Sequence, residues 1–273
     1  MAAIKAKRPR ATGDRALWVG AHAHYEDAAY YDKTYARRLD DVSYYEALAR
    51  GVEGLILEYG VGNGRIALPM VRAGADVTGV DWSVPMLTDL RAKLAAEPAD
   101  VRRRLRLVEG DMRQVRLRRR FDLVLCTFNT FLHLYTRADV EAFLARVRGH
   151  LAPGGRFVFD VAVPQPGDLG RDPNRAYRAP RLRHPTTGQL VRYSERFDYD
   201  AARQILFVTV EFTPVDGGDS WVVPLAHRQF FPQELEALLH YAGFEVDRVE
   251  ADFDSLPLDR FSDVAVWTTH LAH

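Results

Sequence analysis

At 273 residues, with an apolar fraction of 47%, the chain is long enough for one large domain, or for one domain carrying a sizeable insertion. Its formal net charge of zero leaves no whole-molecule field to draw it onto nucleic acid or anionic lipid. A lone cysteine, Cys126, excludes an internal disulfide and a cysteine metal cage.

Residues 1–16 are basic and rich in small side chains, with no apolar segment behind them, and predict a disordered tail rather than a signal peptide. No stretch approaches the ~20 apolar residues that span a bilayer, so a cytoplasmic protein without membrane contact is expected. Tyr25 to Arg50 carries Tyr25, Tyr30, Tyr31, Tyr35, Tyr44 and Tyr45 among polar residues and reads as two helices broken near Arg38 to Asp41. From Gly54 onward, strands and helices alternate. Strands are expected at Leu55–Glu58, Asp76–Val80, Leu105–Val108, Phe121–Cys126 and Phe157–Val163. Helices are expected at Arg65–Ala73, Val84–Ala96 and Ala138–His150, the last with Val140, Phe143, Leu144 and Val147 on one face. Short apolar strands alternating with helices imply a doubly wound α/β sheet.

The rhythm then changes. Pro164 to Gly188 contains five prolines and reads as a long loop. Period-2 segments follow over Val191 to Tyr199, Ile205 to Phe212 and Trp221 to Gln229, with a turn at Asp216-Gly217-Gly218, as in an antiparallel meander. Pro232 opens a helix that Gly243 closes, and Phe244–Val249 and Val264–Thr269 read as the last strands of the main sheet. The division expected is an α/β domain over 17–163 and 230–273, with 164–229 inserted as loop and antiparallel lid.

The most informative stretch is Glu58-Tyr59-Gly60-Val61-Gly62-Asn63-Gly64-Arg65, a strand end, a glycine turn and a helix start. Glycines there let a ligand approach the backbone. Dinucleotide enzymes place G-x-G-x-x-G at this point to grip a pyrophosphate. Here the third glycine comes one position early, and Glu58 stands two residues before the first. An acid suits S-adenosylmethionine (SAM), which carries an ammonium, and would repel a pyrophosphate. Asp81 ends the second strand, where a carboxylate accepts from ribose hydroxyls. Met86 is a candidate for the adenine face, and Asp111 for the adenine amino group.

The Glu58–Gly64 loop, Val80-Asp81-Trp82-Ser83, Glu109-Gly110-Asp111-Met112, Phe121–Cys126 and Leu151–Asp160, in this order and spacing, resemble the core of a class I, seven-stranded SAM-dependent methyltransferase. The resemblance covers residues 55–160 and implies SAM as cofactor and a sheet of order 3-2-1-4-5-7-6 with the last strand antiparallel. It implies that Glu58, Gly60, Gly62 and Gly64 hold the methionine end and Asp81 the ribose. Trp82 and Met86 would flank adenine, Asp111 with Met112 would bind its edge, and Thr127 with Phe128 would lie under the sulfonium. Beyond that core, Phe128 to His133, the pair Tyr31 and Tyr35 and the inserted meander resemble the small-molecule group that includes aminosugar N,N-dimethyltransferases.

The segment after the fourth strand lacks the Asn/Asp-Pro-Pro-Tyr/Phe and Pro-Cys clusters of nucleic-acid enzymes, and Cys126 reads as a buried apolar residue. No carboxylate cluster points to a metal. The expected acceptor is a small molecule methylated on N or O by in-line displacement, where alignment and exclusion of water supply much of the acceleration. His133 is the candidate base and Tyr31 the candidate pocket lid, both counted as catalytic. Asn129, Phe131, His133 and Arg228 are candidates for acceptor binding. Arginine runs at Arg102–Arg106 and Arg113–Arg120 keep an RNA methyltransferase as the first rival, though solvated connections explain them. A non-catalytic SAM-binding scaffold is the second rival. A monomer or homodimer is expected.

Overall fold

A computed structural model of the protein describes residues 15–272. Of the tail expected over 1–16, residues 1–14 lie outside the described residues. Arg15 and Ala16 instead begin helix α1 (Arg15–His22). A 3-10 turn (Ala23–Tyr25) leads into α2 (Ala28–Tyr35), capped where the Tyr30 N–H donates to the Asp27 carboxylate at 2.9 Å, and then α3 (Asp40–Arg50).

The alternating part runs β1 (Leu55–Tyr59), α4 (Ala67–Arg72), β2 (Asp76–Asp81), α5 (Val84–Ala95), α6 (Ala99–Arg104), β3 (Leu105–Glu109), β4 (Phe121–Cys126), α7 (Arg137–His150) and β5 (Leu151–Ala162). Successive strand residues point to opposite faces and are apolar on both. Ile56, Leu123, Leu125 and Val158 pack under α4 and α5, whereas Leu57, Val124, Phe157 and Phe159 pack against α7. Each such side chain contributes roughly 1.5–3 kcal/mol of burial. Helix α7 starts at a capping box in which Thr136 and Asp139 satisfy each other's backbone N–H groups.

Helix α8 (Pro166–Leu169) precedes β6 (Tyr177–Arg183), β7 (Leu190–Asp200), β8 (Ile205–Pro214) and β9 (Trp221–Arg228), which form a separate antiparallel sheet of order β6-β7-β8-β9. Strand β6 lies inside the stretch expected as loop. It is an edge strand and irregular around Pro180, which is where a residue lacking an N–H is tolerated. Helix α9 (Pro232–Tyr241), β10 (Phe244–Ala251), β11 (Leu256–Pro257) and β12 (Val264–Leu271) end the chain.

The main sheet has the order β11-β10-β12-β5-β4-β1-β2-β3, with β12 antiparallel to both neighbours. Seven of its strands take the expected relative order, but the sheet is eight-stranded rather than seven-stranded. The added β11 is two residues long, pairs Glu250 with Pro257 and Ala251 with Leu256, and is too short to leave a sequence pattern. Parallel registers align Tyr59 with Val80, Asp81 with Glu109 and Tyr59 with Cys126. The segments that follow β1, β2, β3 and β4 therefore emerge along one edge, where strand order reverses between β1 and β4. Open α/β sheets bind ligands at that point.

Candidate active site

The turn after β1 needs its glycines for different reasons. Gly60 has φ +71°, and a Cβ there would collide with the Thr130 side chain. Gly62 has φ +53°, and the nearest atom to a Cβ there is the Gly60 carbonyl oxygen at 3.9 Å, so this position faces open space. The Gly62 N–H donates to Asp81 Oδ2 at 2.7 Å, and the Ser83 N–H donates to Asp81 Oδ1 at 2.8 Å. Burial raises the Asp81 carboxyl above its usual range, against the pull of these bonds. Gly64 turns away from the cavity, where a Cβ would strike Leu90 and Leu68 of the helix layer.

Gly60, Gly62, Asp81, Trp82, Met86, Asp111 and Met112 line one cavity, together with Val80, Ser83, Gly110 and Arg113. Asp111 accepts from the Arg113 guanidinium, with Nη2 to Oδ2 at 2.6 Å, while Arg113 Nη1 reaches Asp139 at 2.6 Å. Burial alone would raise Asp111, but these bonds outweigh it and hold the carboxyl low. Trp82 is 41% exposed and carries His22 on its ring at 4.2 Å, with Trp18 stacked beyond at 4.3 Å. Both residues come from α1, which thereby walls the cavity opposite the sheet edge.

The segment after β4 is held by a carboxylate the sequence reading did not single out. Asp160, fully buried near the end of β5, accepts from the Tyr45 hydroxyl at 2.6 Å, the Phe128 N–H at 2.8 Å and the Asn129 N–H at 3.2 Å. Those bonds fix Phe128 and Asn129 at φ +53° and +64°, a conformation bulky residues avoid. Phe128 then faces the cavity, with Arg65 over its ring at 4.1 Å. The Asn129 side chain instead accepts from the Ala162 N–H at 2.6 Å, outside the cavity lining. Phe131 is fully buried, stacked on Phe159 at 4.8 Å, and belongs to the core. Thr127 is buried and donates to Glu58 Oε1 at 2.9 Å. Glu58, 1% exposed, lies behind the glycine turn. Its Oε2 is buried without a partner, and burial pushes the carboxyl up to about 8.

The remaining wall is aromatic. Tyr25, Tyr31 and His133 join the cavity. The Tyr31 ring meets Tyr35 edge-on at 4.7 Å and Tyr25 at 6.1 Å. His133 Nε2 lies 2.7 Å from the Tyr25 hydroxyl, and Nδ1 lies 3.0 Å from the Tyr135 hydroxyl. Enclosure, and secondarily His24 and His22, lower the His133 pKa to about 3. Arg228 is placed elsewhere. It pairs with Glu234 at 2.6 Å and covers Phe230 at 4.3 Å. No residue of 164–229 is in the cavity lining. The second sheet backs the site instead, with α1 packed on β9 and the His227 ring 5.0 Å from His133.

Of the expected site residues, ten therefore meet in one cavity, namely Tyr31, Gly60, Gly62, Asp81, Trp82, Met86, Asp111, Met112, Phe128 and His133. Glu58, Gly64, Thr127, Asn129, Phe131 and Arg228 stand behind or away from it. Trp18, His22, Tyr25, Arg113 and Asp160 were not expected. A sequence signal existed for Asp160, an acid interrupting the apolar run Phe157 to Val163. None existed for Tyr25, one tyrosine among many. Glu58 Oε2, the open face at Gly62 and Asp81 together fit the groups SAM presents: an unpartnered buried carboxyl oxygen for an ammonium, bare backbone, and an acceptor for hydroxyls. Among the described residues no group of three His, Cys, Asp or Glu side chains is placed to hold a metal, and no helix is long and apolar enough to cross a membrane.

Residues 56–155 match the methyltransferase domain family. A glycine/sarcosine N-methyltransferase of Aphanothece halophytica is 30% identical over 58% of this chain and 63% of its own length. A dTDP-3-amino-3,4,6-trideoxy-alpha-D-glucopyranose N,N-dimethyltransferase of Streptomyces venezuelae is 28% identical over 47% and 51%. The chain thus spans less than two thirds of these curated relatives. The CcbJ methyltransferase of Streptomyces caelestis superposes with a TM-score of 0.76 at 27% identity, covering 86% of this chain and 96% of that one. Solved neighbours of this fold carry bound SAM.

Proposed function

From a chain whose residues 56–155 are a class I methyltransferase domain with SAM as its cofactor, we propose that the protein methylates an amine nitrogen of a small molecule by in-line displacement. The observation that carries the choice of nitrogen is the charge around the cavity. Glu58, Asp81 and Asp160 sit at the ends of β1, β2 and β5, hydrogen-bonded to neutral donors. Among the described residues none of the three has an ion-pair partner within 4.0 Å. SAM supplies a methyl on a positively charged sulfur. An amine that takes the methyl takes the charge as well, so the positive charge near Asp81 and Asp160 is conserved, while Glu58 is left to the cofactor's ammonium. A hydroxyl acceptor must first give its proton to a base. His133, with a pKa lowered to about 3 and Nε2 engaged by Tyr25, is a poor base for that. The N-methyltransferases among the relatives support the same choice.

The chain's own residues then have these roles. Gly60 and Gly62 admit the methionine end and Glu58 takes its ammonium. Asp81 accepts from the ribose hydroxyls. Met86, Trp82 and Met112 enclose the adenine, and Asp111, oriented by Arg113, meets its edge. Phe128, Tyr31 and Tyr25 exclude water from the reacting centre. The insertion 164–229 holds the N-terminal wall in place, and Arg228 anchors it to α9 through Glu234.

The test is a metabolite extract incubated with the protein and methyl-labelled SAM. Ions carrying the label on nitrogen are expected. Label on oxygen alone, or no labelled ion, refutes the proposal. In calorimetry, Gly62→Val and Asp81→Ala should each abolish SAM binding, and normal affinity in both removes the cofactor site from this cavity.

A further inference from the structure

The hydrogen bonds around His133 have only one consistent direction. Tyr135 has a single proton, and it goes to the Ala226 carbonyl oxygen on β9 at 2.9 Å. The Tyr135 oxygen, 3.0 Å from His133 Nδ1, must therefore accept, which places the ring proton on Nδ1. The neutral ring then has a bare Nε2, and the Tyr25 hydroxyl 2.7 Å away must donate to it. That commits the only proton of Tyr25. Tyr25 lines the cavity, so what it presents there is an oxygen with lone pairs and no hydrogen.

We propose that Tyr25 is the catalytic residue that receives the acceptor amine, taking an N–H hydrogen bond on its phenol oxygen, and that His133 is a positioning residue whose bare Nε2 fixes the Tyr25 proton away from the cavity. The polarity is set outside the catalytic domain's sheet, by one carbonyl of the inserted sheet. The proposal rests on the reading of the cavity as a SAM-dependent N-methylation site. With the N–H held by Tyr25, the nitrogen lone pair is directed at the methyl carbon. The N–C bond forms as the C–S bond breaks, the C–S electron pair stays on sulfur and the positive charge passes to nitrogen. The N–H proton remains on nitrogen and leaves to solvent after release. An acceptor must therefore be a primary or secondary amine, and methylation stops when no N–H is left.

Sinefungin tests this without an identified acceptor, because it carries an amine where SAM carries the sulfonium methyl, whereas S-adenosylhomocysteine carries nothing there. In wild-type protein sinefungin should bind more tightly than S-adenosylhomocysteine. Tyr25→Phe should weaken sinefungin by about tenfold or more, the scale of a hydrogen bond to a charged donor, with S-adenosylhomocysteine unchanged. His133→Gln, whose amide oxygen can still accept from Tyr25, should keep the preference, and His133→Leu should lose it. An unchanged preference in Tyr25→Phe overturns the proposal. If His133→Leu loses the preference while Tyr25→Phe keeps it, His133 faces the amine and the assignment is reversed. If neither nucleoside binds wild-type protein, the cofactor site itself fails and the proposal falls with it. Nitrogen-15 spectra of the imidazole give an independent reading: the proton on Nδ1 of His133 is expected, and a proton on Nε2 refutes the polarity.

Discussion

Glu58→Gln separates a carboxyl that meets a cation from one that only fills space. Glu58 is buried, one oxygen has no partner, and its pKa is pushed up to about 8. At pH 7 the ligand-free side chain is therefore roughly nine-tenths protonated. An ammonium beside Oε2 ionises it, so binding SAM must release a proton. The α-amino group of the ligand, with a pKa of ~7.7–8.0, takes up about a tenth of a proton, leaving a net release of about 0.8 at pH 7. The same balance gives close to 1 at pH 6 and close to 0 at pH 8. Isothermal calorimetry in buffers of different ionisation enthalpy reads this number directly as a slope. In Glu58→Gln the release should be gone, leaving only the ligand's own uptake of about a tenth of a proton at pH 7, and SAM affinity should fall by about ten- to a hundredfold, as expected for losing a charged hydrogen bond of ~1.5–3 kcal/mol. A flat response in wild-type protein at pH 6 and 7, or an unchanged slope in the variant, refutes the placement of the ammonium at Glu58. Stability has a definite sign as well. The folded pKa lies above the unfolded value of 4.5, so the contribution of Glu58 is intact below about pH 4.5 and is lost as pH rises toward 8. The Tm advantage of Glu58→Gln in the ligand-free protein should therefore grow from pH 5 to pH 8.

Histidines behave oppositely. Burial lowers His24 to about 4, and it lowers His133 to about 3, so each favours folding above pH 6.5 and loses that contribution as pH falls. Thermal melts from pH 7 to pH 4.5 should show a steady loss, up to about 1.4 kcal/mol per pH unit for each group, and His24→Gln should flatten it. Gly60→Ala forces a side chain at φ +71° against Thr130 and should cost about 1–3 kcal/mol together with SAM affinity. Adding Thr130→Ala should restore part of the stability, and full stability in the single variant would show that the turn yields. Phe131→Ala should lower unfolding stability by about 3–5 kcal/mol in denaturant titrations while the folded fraction keeps its SAM affinity. A large affinity loss without destabilisation would return Phe131 to the binding site.

The cofactor side of the site was legible because its residues follow strand ends. Gly60, Asp81 and Asp111 each stand at, or within two residues of, the end of a strand, and parallel pairing aligns those ends whatever the rest of the chain does. The acceptor side was legible only in part. Asn129 and Phe131 stand two residues apart in the segment singled out for acceptor contact, yet one braces β5 through the Ala162 N–H and the other fills the core. Which way each points depends on the left-handed turn that Asp160 holds from 32 residues away. Arg228 looked available because its partner, Glu234, lies beyond a loop on α9.

The sequence by itself determined the alternating sheet, the glycine turn, the carboxylates at the strand ends and hence the cofactor, because each depends on local spacing and on a pairing rule that leaves little choice. The tertiary structure alone decided how the aromatic wall of the cavity is wired. Tyr25 and His133 are 108 residues apart, and the direction of the bond between them is fixed from Ala226, a further 93 residues on from His133, as the numbering shows. Hydrogen-bond direction passes through contacts in space, and no periodicity along the chain encodes it.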